Sequence, residues 1–348
     1  MNSKQLYQWV ESSSKDWDGF SRHFRENLRV FSRAVVRAQS SQIRKIAGAS
    51  EGRAESQRRR LQRFLQQDHA LKLFFQYWTR TLLKRLKIKE IVLVVDETKL
   101  KAKLGVMVVG ILYKERCIPL AWRIYEANSA SGYPQEGQAR MIIRLLKQVR
   151  AGIGRQLSVR VLADRGIGTS PLLMRGIMAM GWQFLFRVTK QSKIVVADGE
   201  AVCFYEQVRQ QGQSYAASGL VFKKRGRIPA HVRVLWRTGG QEPWALVTND
   251  PRLSGWEYAH RMWIEQAFRD LKSHGWDVEK ACLASAERMS RLWIILIVAY
   301  AWMLLWGTTL EAAGQTTPLK RRPDGTRVRR WSLFREGRQA FLTANPFP

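Results

Sequence analysis

Apolar residues along the chain follow different periods in different regions. Residues 1–88 carry them every three or four positions, as at Phe20, Phe24 and Leu28, and this spacing predicts amphipathic helices. The longest apolar run, Leu292–Trp306, has 15 residues. Because a membrane span needs about 20 such residues, this run predicts a buried core helix instead.

Between these regions, β-rich and helical patterns alternate. IVLVVDETKL shows little alternation, which is typical of a strand buried on both faces, and two further β-rich runs follow around the polar turn YKER. Two helical patterns and the short strands VRVLADRG and WQFLFRV then complete the order β-β-β-α-β-α-β. This order predicts an α/β fold, a mixed sheet with helices on its faces, in which the first and fourth strands lie side by side. Asp96 and Asp164, at the ends of those two strands, would then be neighbours.

These patterns predict three regions along the chain. A basic helical domain covers residues 1–88, and an α/β domain covers residues 89–310, with an insertion of short β-like runs at residues 190–250. A basic tail covers residues 311–348, and within it PLKRRPDGTRVRR, residues 318–330, predicts a loop or flexible arm.

The charge of the chain indicates what kind of partner the protein binds. The formal net charge of the 348 residues is +31, which is typical of a protein that binds a polyanion. Nucleic acid is the first candidate and an anionic membrane surface the second. Residues 1–88 hold 19 Lys and Arg against 7 Asp and Glu. Because this excess has one sign, it favours a DNA-binding helical domain over a solvated helical bundle.

Cysteine usage indicates the compartment. Cys117, Cys203 and Cys282 are far apart, and the five histidines form no metal-ligand spacing with them. This pattern argues against a disulfide framework or a zinc site and favours a reducing compartment. The first 20 residues lack the apolar core of a signal peptide, so we expect a cytoplasmic protein.

A polar stripe follows the β insertion. Read as a helix, Tyr258, Arg261, Glu265 and Lys272 fall at offsets 0, 3, 7 and 14, within about 60° of one another. The adjoining flank is apolar and would be buried, at Ile264, Phe268 and Leu271. A carboxylate beside two cations and a phenol suits a site for a metal ion and a phosphate-rich substrate. The alternative is a solvated face on which the cations merely pair with Glu265.

Asp96, Asp164 and Glu265 together are suited to binding divalent metal ions. An acid at a strand end is often the N-cap of the next helix, so each alone is weak evidence. Together their oxygens suit hard divalent cations such as Mg²⁺. Two such ions activate a nucleophilic oxygen and stabilise the leaving oxygen of a phosphodiester. Without metal, the three carboxylates would raise one another's pKa, so the cluster makes sense mainly when it is occupied.

The segment YAHRMWIEQAFRDLK carries a specific signature: Tyr, two residues, Arg, three residues, Glu, six residues, Lys. With it, the chain resembles the DDE transposases of bacterial insertion sequences, in the Tyr-Arg-Glu-Lys branch of insertion-sequence family four. The sequence DET at Asp96 matches the Asp-x-Thr motif of that family, and DRG at Asp164 matches the first part of its Asp-x-Gly motif. Ile167 and Gly168 stand where the family has an aromatic residue. The resemblance covers about residues 90–310.

This resemblance implies a ribonuclease-H-like fold and transposition of DNA. Asp96, Asp164 and Glu265 would be the catalytic residues and the ligands of two Mg²⁺ ions, with Mn²⁺ as a substitute. They would activate water for a cut at the transposon end, and the freed 3′-hydroxyl would attack target DNA.

The resemblance also implies which residues bind DNA. Tyr258, Arg261 and Lys272 would hold phosphates near the cut. Trp244 lies about where relatives pack a Trp of the insertion against the transposon end, although a core position explains it equally well. The partners would be double-stranded DNA, as transposon ends and as target, and a second copy of the chain on that DNA, with no membrane. The site of action would be the bacterial cytoplasm, at the nucleoid.

Other functions stay open at this point. One is a structure-specific nuclease of the same fold that performs no strand transfer. Another is a non-catalytic DNA-binding protein derived from such an enzyme, which the presence of all three acids disfavours. A membrane-surface protein is a more distant alternative.

Overall fold

The computed structural model describes residues 17–101, 103–129, 131–154, 157–196, 199–222 and 226–344. The first 16 residues of the predicted helical domain and the last four of the predicted tail therefore lie outside the described residues. Contacts between Cα atoms divide the chain into two units. The helical unit comprises the described residues up to Tyr77, Leu100–Leu104 and those from Ala267 onward, and the sheet unit comprises Trp78–Lys99 and Gly105–Gln266.

The described elements follow one another in this order. The helices are α1 (Arg22–Ala38), α2 (Ile43–Gly48), α3 (Ala54–Gln66), α4 (Leu71–Leu86), α5 (Gly137–Arg150), α6 (Arg165–Gly168), α7 (Pro171–Met178), α8 (Met262–Leu271), α9 (Ala286–Ala312) and α10 (Leu333–Ala344). The strands are β1 (Glu90–Leu100), β2 (Leu104–Tyr113), β3 (Arg116–Glu126), β4 (Ser158–Ala163), β5 (Gln183–Arg187), β6 (Lys193–Val195), β7 (Ala201–Cys203), β8 (Ser214–Val221), β9 (Ile228–Leu235), β10 (Trp244–Thr248), β11 (Lys320–Arg321) and β12 (Arg327–Val328). Short 3-10 helices cover Phe204–Gln207, Trp256–Arg261 and Val278–Ala281.

Helix α1 shows why the N-terminal pattern folds as predicted. Ser21 is its N-cap, and the hydroxyl of Ser21 accepts a hydrogen bond of 3.1 Å from the backbone N–H of Phe24. The predicted apolar stripe is buried, with Leu28 at 1% and Phe31 at 0% exposure. This stripe faces α9, where the hydroxyl of Ser32 donates to the carbonyl of Ile295 at 3.2 Å.

Helix α9 forms the centre of the helical unit, where it packs against α1, α3 and α10. Its length and composition would allow it to cross a membrane, yet 83% of its most apolar 18-residue window is buried within the protein. This is the environment of a core helix, as the short apolar run predicts.

The C-terminal tail is more ordered than its composition predicts. The prediction of a loop or flexible arm over residues 318–330 is wrong where β11 and β12 pair, because Asp324 accepts hydrogen bonds from Thr326 in a tight turn with Gly325 at φ 82°. Helix α10 follows and lies directly against α9. A Cβ atom on Gly307 would lie 1.8 Å from the carbonyl oxygen of Leu333, and one on Gly337 would lie 1.9 Å from that of Met303. Glycine at both positions is therefore what allows the two backbones to meet.

The strands of the sheet unit form one mixed sheet in the order β3-β2-β1-β4-β5-β10-β9-β8-β6-β7. The pairs β1–β4 and β4–β5 are parallel, so the first and fourth strands are neighbours as predicted. The turn at YKER is also confirmed. Its two residues, Lys114 and Glu115, have φ of 48° and 62°, the left-handed backbone of a type I′ hairpin. Helix α5 packs against β3 and α7, which gives a mixed α/β arrangement consistent with a ribonuclease-H-like fold.

The predicted β insertion does not form a sheet of its own. Strands β6 to β10 pair in antiparallel fashion and continue the main sheet, because β10 pairs with β5. This pairing places the start of β10, at Trp244, at the edge of the sheet where β5 ends.

Candidate active site

The register of the parallel strands places three charged residues in one row. Val95 of β1 is paired with Ala163 of β4, and Ala163 is paired with Phe186 of β5. The residue after each of these is Asp96, Asp164 and Arg187, respectively. Neighbouring parallel strands present equivalent positions side by side, so these three residues form a row. The row lies where β4 and β5 end, but β1 continues to Leu100, so the prediction that Asp96 ends its strand is wrong.

Asp96 is held by hydrogen bonds on both carboxylate oxygens. Its Oδ2 accepts from Nη1 of Arg261 at 2.9 Å, and its Oδ1 accepts from the backbone N–H of Glu97 at 2.9 Å. Its side chain is 13% exposed. Burial raises the pKa of Asp96 to about 6, and the charges of Asp164 and Glu265 add to this shift while Arg261 opposes it. Asp164 and Glu265 therefore both lie close enough to Asp96 to act on it electrostatically.

Asp164 is also the N-cap of α6. Its Oδ1 accepts from the backbone N–H of Ile167 at 3.2 Å. The local structure explains why no aromatic residue follows the motif here. Ile167 is buried, and a Cβ atom on Gly168 would lie 2.3 Å from the carbonyl oxygen of Arg187. No side chain fits at Gly168 without displacing the end of β5.

The segment that carries the polar stripe is not one continuous α-helix. Gly255, at φ 98°, precedes the 3-10 helix Trp256–Arg261, and the α-helical part, α8, begins only at Met262. The 3-10 helix packs against β4. Read as a single α-helix, the wheel is therefore wrong for Tyr258 and Arg261, although the apolar flank at Ile264, Phe268 and Leu271 is buried as predicted.

Arg261 connects two of the acids. Its Nη1 donates to Asp96, and its Nη2 donates to Oε1 of Glu265, which lies in the first turn of α8. The Arg261 side chain is 13% exposed, and its single positive charge is shared between both carboxylates. The structure thus brings Asp96, Asp164, Arg261 and Glu265 together in the sheet unit.

Tyr258 and Trp244 lie beside this group in a cluster of aromatic rings. Tyr258 is 4% exposed, and burial raises its pKa to about 12. The ring of Trp244 contacts Tyr258 edge to face at 5.3 Å and Trp256 at 6.4 Å, and the guanidinium of Arg237 lies 5.5 Å from its centroid. Trp256 is 49% exposed and was missed by the sequence analysis. Trp256 lies two residues before Tyr258, the first residue of the predicted stripe, and no pattern in the sequence singles it out.

Lys272 belongs to the helical unit. It follows the end of α8, and its Nζ lies 3.7 Å from Oε1 of Glu279. Its predicted role as a phosphate ligand stays a prediction.

Arg187 is the second residue that the sequence analysis missed. The signal was present, because Arg187 directly follows the apolar run FLF, just as Asp96 follows IVLVV and Asp164 follows VRVLA. Only the pairing of β4 with β5 reveals that these three ends share one row.

The carboxylates of Asp96, Asp164 and Glu265 are suitable ligands for a hard divalent cation, although two of them pair with Arg261. Among the described residues, no group of three or more His, Cys, Asp or Glu side chains is placed so that it could hold a metal ion. Asp96 and Glu265 nevertheless already share one cation, the guanidinium of Arg261, and Asp164 is the next residue in the row. Carboxylate oxygens of this kind are the ligands that Mg²⁺ prefers.

Comparison with known proteins agrees with this geometry. Residues 134–302 match the family model described as Transposase DDE domain. The matched segment contains Asp164, Arg261 and Glu265, and it begins after Asp96. No curated protein matches the chain. The family match supports a DDE transposase, and with it an enzyme that acts on DNA.

Proposed function

We propose that this protein is a transposase of a bacterial insertion sequence, in the Tyr-Arg-Glu-Lys branch, that cleaves DNA at the ends of its element and joins the 3′ ends to target DNA. The single observation that carries this proposal is that Asp96 and Glu265 share Arg261 while Asp164 lies beside Asp96 in the row. The match of residues 134–302 to a transposase domain supports it independently.

In this proposal, Asp96, Asp164 and Glu265 hold two divalent ions, Mg²⁺ or its substitute Mn²⁺. When bound, such ions supply an activated nucleophilic oxygen and stabilise the leaving oxygen of the phosphodiester. The protein contributes the positions of the carboxylates: β1 and β4 fix Asp96 and Asp164, and α8 fixes Glu265. Arg261 shares one positive charge between Asp96 and Glu265. It would have to leave at least one of these acids for a divalent ion to bind there.

The same site would bind the DNA strand. Arg261 offers a planar fork for phosphate, and Tyr258 and Trp244 place aromatic rings beside the acids. Lys272, in the helical unit, would offer DNA a point charge. The net charge of +31 favours a polyanionic partner. We further propose that the protein acts as a homodimer on double-stranded DNA, with the N-terminal helices as part of its DNA-binding surface, in the cytoplasm.

The test is substitution of each acid by alanine. Asp96→Ala, Asp164→Ala and Glu265→Ala should each lower Mg²⁺-dependent cleavage of element-end DNA by at least about 100-fold, because each removes a metal ligand. DNA binding, measured by fluorescence anisotropy, should stay within a few-fold of the wild type. Glu115→Ala is the control, since Glu115 lies in the β2–β3 hairpin turn, away from the carboxyl end of β1.

An acid variant that keeps near-normal cleavage would remove that residue from the proposed set of ligands. Joining of a labelled donor 3′ end into a plasmid separates a transposase from a structure-specific nuclease of the same fold. Cleavage without joining would favour the nuclease, and salt-sensitive binding without cleavage would favour a DNA-binding protein that has lost its activity.

A further inference from the structure

A second charged cluster lies beside the row of acids. The carboxylate of Glu242 accepts a hydrogen bond from Nη2 of Arg187, lies 2.9 Å from Nζ of Lys190 and lies 3.5 Å from Nη1 of Arg165. The ammonium of Lys190 also lies 5.2 Å from the centroid of the Tyr205 ring. One carboxylate thus pairs with three cations from two segments of the sheet unit, namely Arg165 in α6 and both Arg187 and Lys190 at or just after the end of β5.

The charges in this cluster do not balance. Three cations and one carboxylate leave two positive charges, and the side chains of Arg165 and Lys190 are 44% and 50% exposed. Hydrogen bonds with Lys190 and Arg187 lower the pKa of Glu242, so that its carboxylate is ionised at neutral pH. Like charges in such a cluster repel one another unless negative charge is present, and Glu242 supplies only one of the three negative charges needed.

The position of the cluster connects it with the candidate active site. Arg187 is the third member of the row that begins with Asp96 and Asp164, and Arg165 directly follows Asp164. Glu242 lies two residues before β10, at the end of that strand that pairs toward Arg187. A DNA strand that places one phosphodiester at the acids would therefore carry another phosphodiester toward these cations.

The chemistry of the cluster selects its ligand. The fork of an arginine binds the oxygens of a phosphate in the same bidentate way as it binds a carboxylate, and a lysine adds a point charge. A carboxylate that occupies such a fork therefore stands where an oxyanion ligand would sit. Its removal exposes donors that are already in place.

We propose that Arg165, Arg187 and Lys190 form a phosphodiester-binding site, one step along the sheet from the acids, which Glu242 occupies until a nucleic-acid strand displaces it. This site deepens the proposed function and rests on it, because the strand it takes is the one that the acids would cut. Glu242 is a positioning residue that lowers affinity for DNA by competing for its three cations.

Glu242→Gln tests this proposal, with binding of a double-stranded DNA oligonucleotide measured by fluorescence anisotropy over a range of salt concentrations. One additional neutralised phosphate steepens the slope of log K against log salt by about 0.9, which corresponds to roughly 8-fold tighter binding at 0.1 M salt. Lys190→Gln should weaken binding by a comparable factor and make the slope shallower by about the same amount. In protein that carries both Arg187→Gln and Lys190→Gln, the gain from Glu242→Gln should disappear.

Glu115→Gln is the matched control, because it removes the same charge from the hairpin turn between β2 and β3. Equal gains in affinity for Glu242→Gln and Glu115→Gln would overturn the proposal, since the effect would then be one of net charge alone. Unchanged or weaker binding of Glu242→Gln together with a lower melting temperature would also overturn it, because Glu242 would then be a structural tie between β5 and β10. Lys190→Gln leaves the Arg187–Glu242 pair intact, so its effect on the salt slope decides the matter if Glu242→Gln fails to fold.

The outcomes separate this inference from the proposed function. Loss of cleavage in the three acid variants, together with a Glu242→Gln protein that behaves like its control, would leave the transposase proposal standing and remove only the phosphodiester site. If Glu242→Gln binds DNA more tightly and with a steeper salt dependence, but the wild-type protein cuts no DNA, the phosphodiester site would be established and the transposase proposal contradicted.

Discussion

The raised pKa of Asp96 makes the stability of the metal-free protein depend on pH in a definite direction. Burial raises this pKa from 3.8 to about 6, so the folded state binds the proton more tightly than the unfolded state. For an acid shifted in this way, stability is greatest below the unfolded pKa and is lost as the pH rises through the folded pKa. Each pKa unit corresponds to about 1.36 kcal/mol, so the full loss at neutral pH is about 3 kcal/mol.

Asp96→Asn removes this loss, because the amide stays neutral at every pH. Arg261 keeps Glu265 as a partner in the variant. With the two pKa values above, the advantage of Asp96→Asn over the wild type should grow by about 2 kcal/mol between pH 4.5 and pH 8. The assay is urea denaturation of both proteins in the presence of EDTA, so that the divalent ions do not contribute.

Asp324→Asn serves as the control of opposite sign. Hydrogen bonds from Thr326 lower the pKa of Asp324, so the difference between this variant and the wild type should not shift in favour of the variant as the pH rises. If Asp96→Asn shows the same free-energy difference from the wild type at both pH values, the carboxyl of Asp96 has an ordinary pKa. The burial of the Asp96 carboxyl, which is the main cause of its raised pKa, would then be refuted.

Two predictions concern the packing of α10 on α9. Phe334→Ala should lower the free energy of unfolding by about 3–5 kcal/mol, because this 1%-exposed ring packs on Trp276 and Tyr300; a cost below about 1 kcal/mol in urea denaturation would contradict this packing. Gly337→Ala should cost about 1–3 kcal/mol, since its Cβ atom would lie 1.9 Å from a backbone oxygen, whereas Gly48→Ala, with no atom within 4 Å, should be neutral or stabilising. Equal melting temperatures for the two glycine variants would show that the helices do not meet as described.

The sequence predicts the central strands well because their physics is local. Strands β1, β4 and β5 are short apolar runs, and the order of strands and helices leaves few ways to pair them. The neighbourhood of Asp96 and Asp164 follows from that pairing alone. For the same reason, the hairpin at Lys114 and Glu115 could be predicted from a two-residue polar turn between apolar runs.

The 3-10 helix at Trp256–Arg261 could not be predicted in the same way. Residues three apart lie on one side of both a 3-10 helix and an α-helix, so the spacing of Tyr258 and Arg261 does not distinguish them. The cluster around Glu242 depends on contacts between residues that are about 50 or more positions apart, as for Arg187 and Glu242. No local pattern encodes such a contact.

The tail could have been predicted in part. Leu333, Phe334, Gly337 and Phe341 are spaced as the buried face of a helix, and all four are buried in α10. The flexible arm was predicted from the basic residues that precede this helix. Charged residues indicate that a segment is exposed to solvent, but the spacing of its apolar residues indicates whether it forms a helix.

The most direct test of the central claim is a crystal structure of the protein soaked with MnCl₂ and measured at a wavelength where manganese scatters anomalously. We expect anomalous peaks bound by oxygens of Asp96, Asp164 and Glu265, with the guanidinium of Arg261 moved away from at least one of its two acids. Manganese bound elsewhere, with Arg261 still paired to both Asp96 and Glu265, would contradict it.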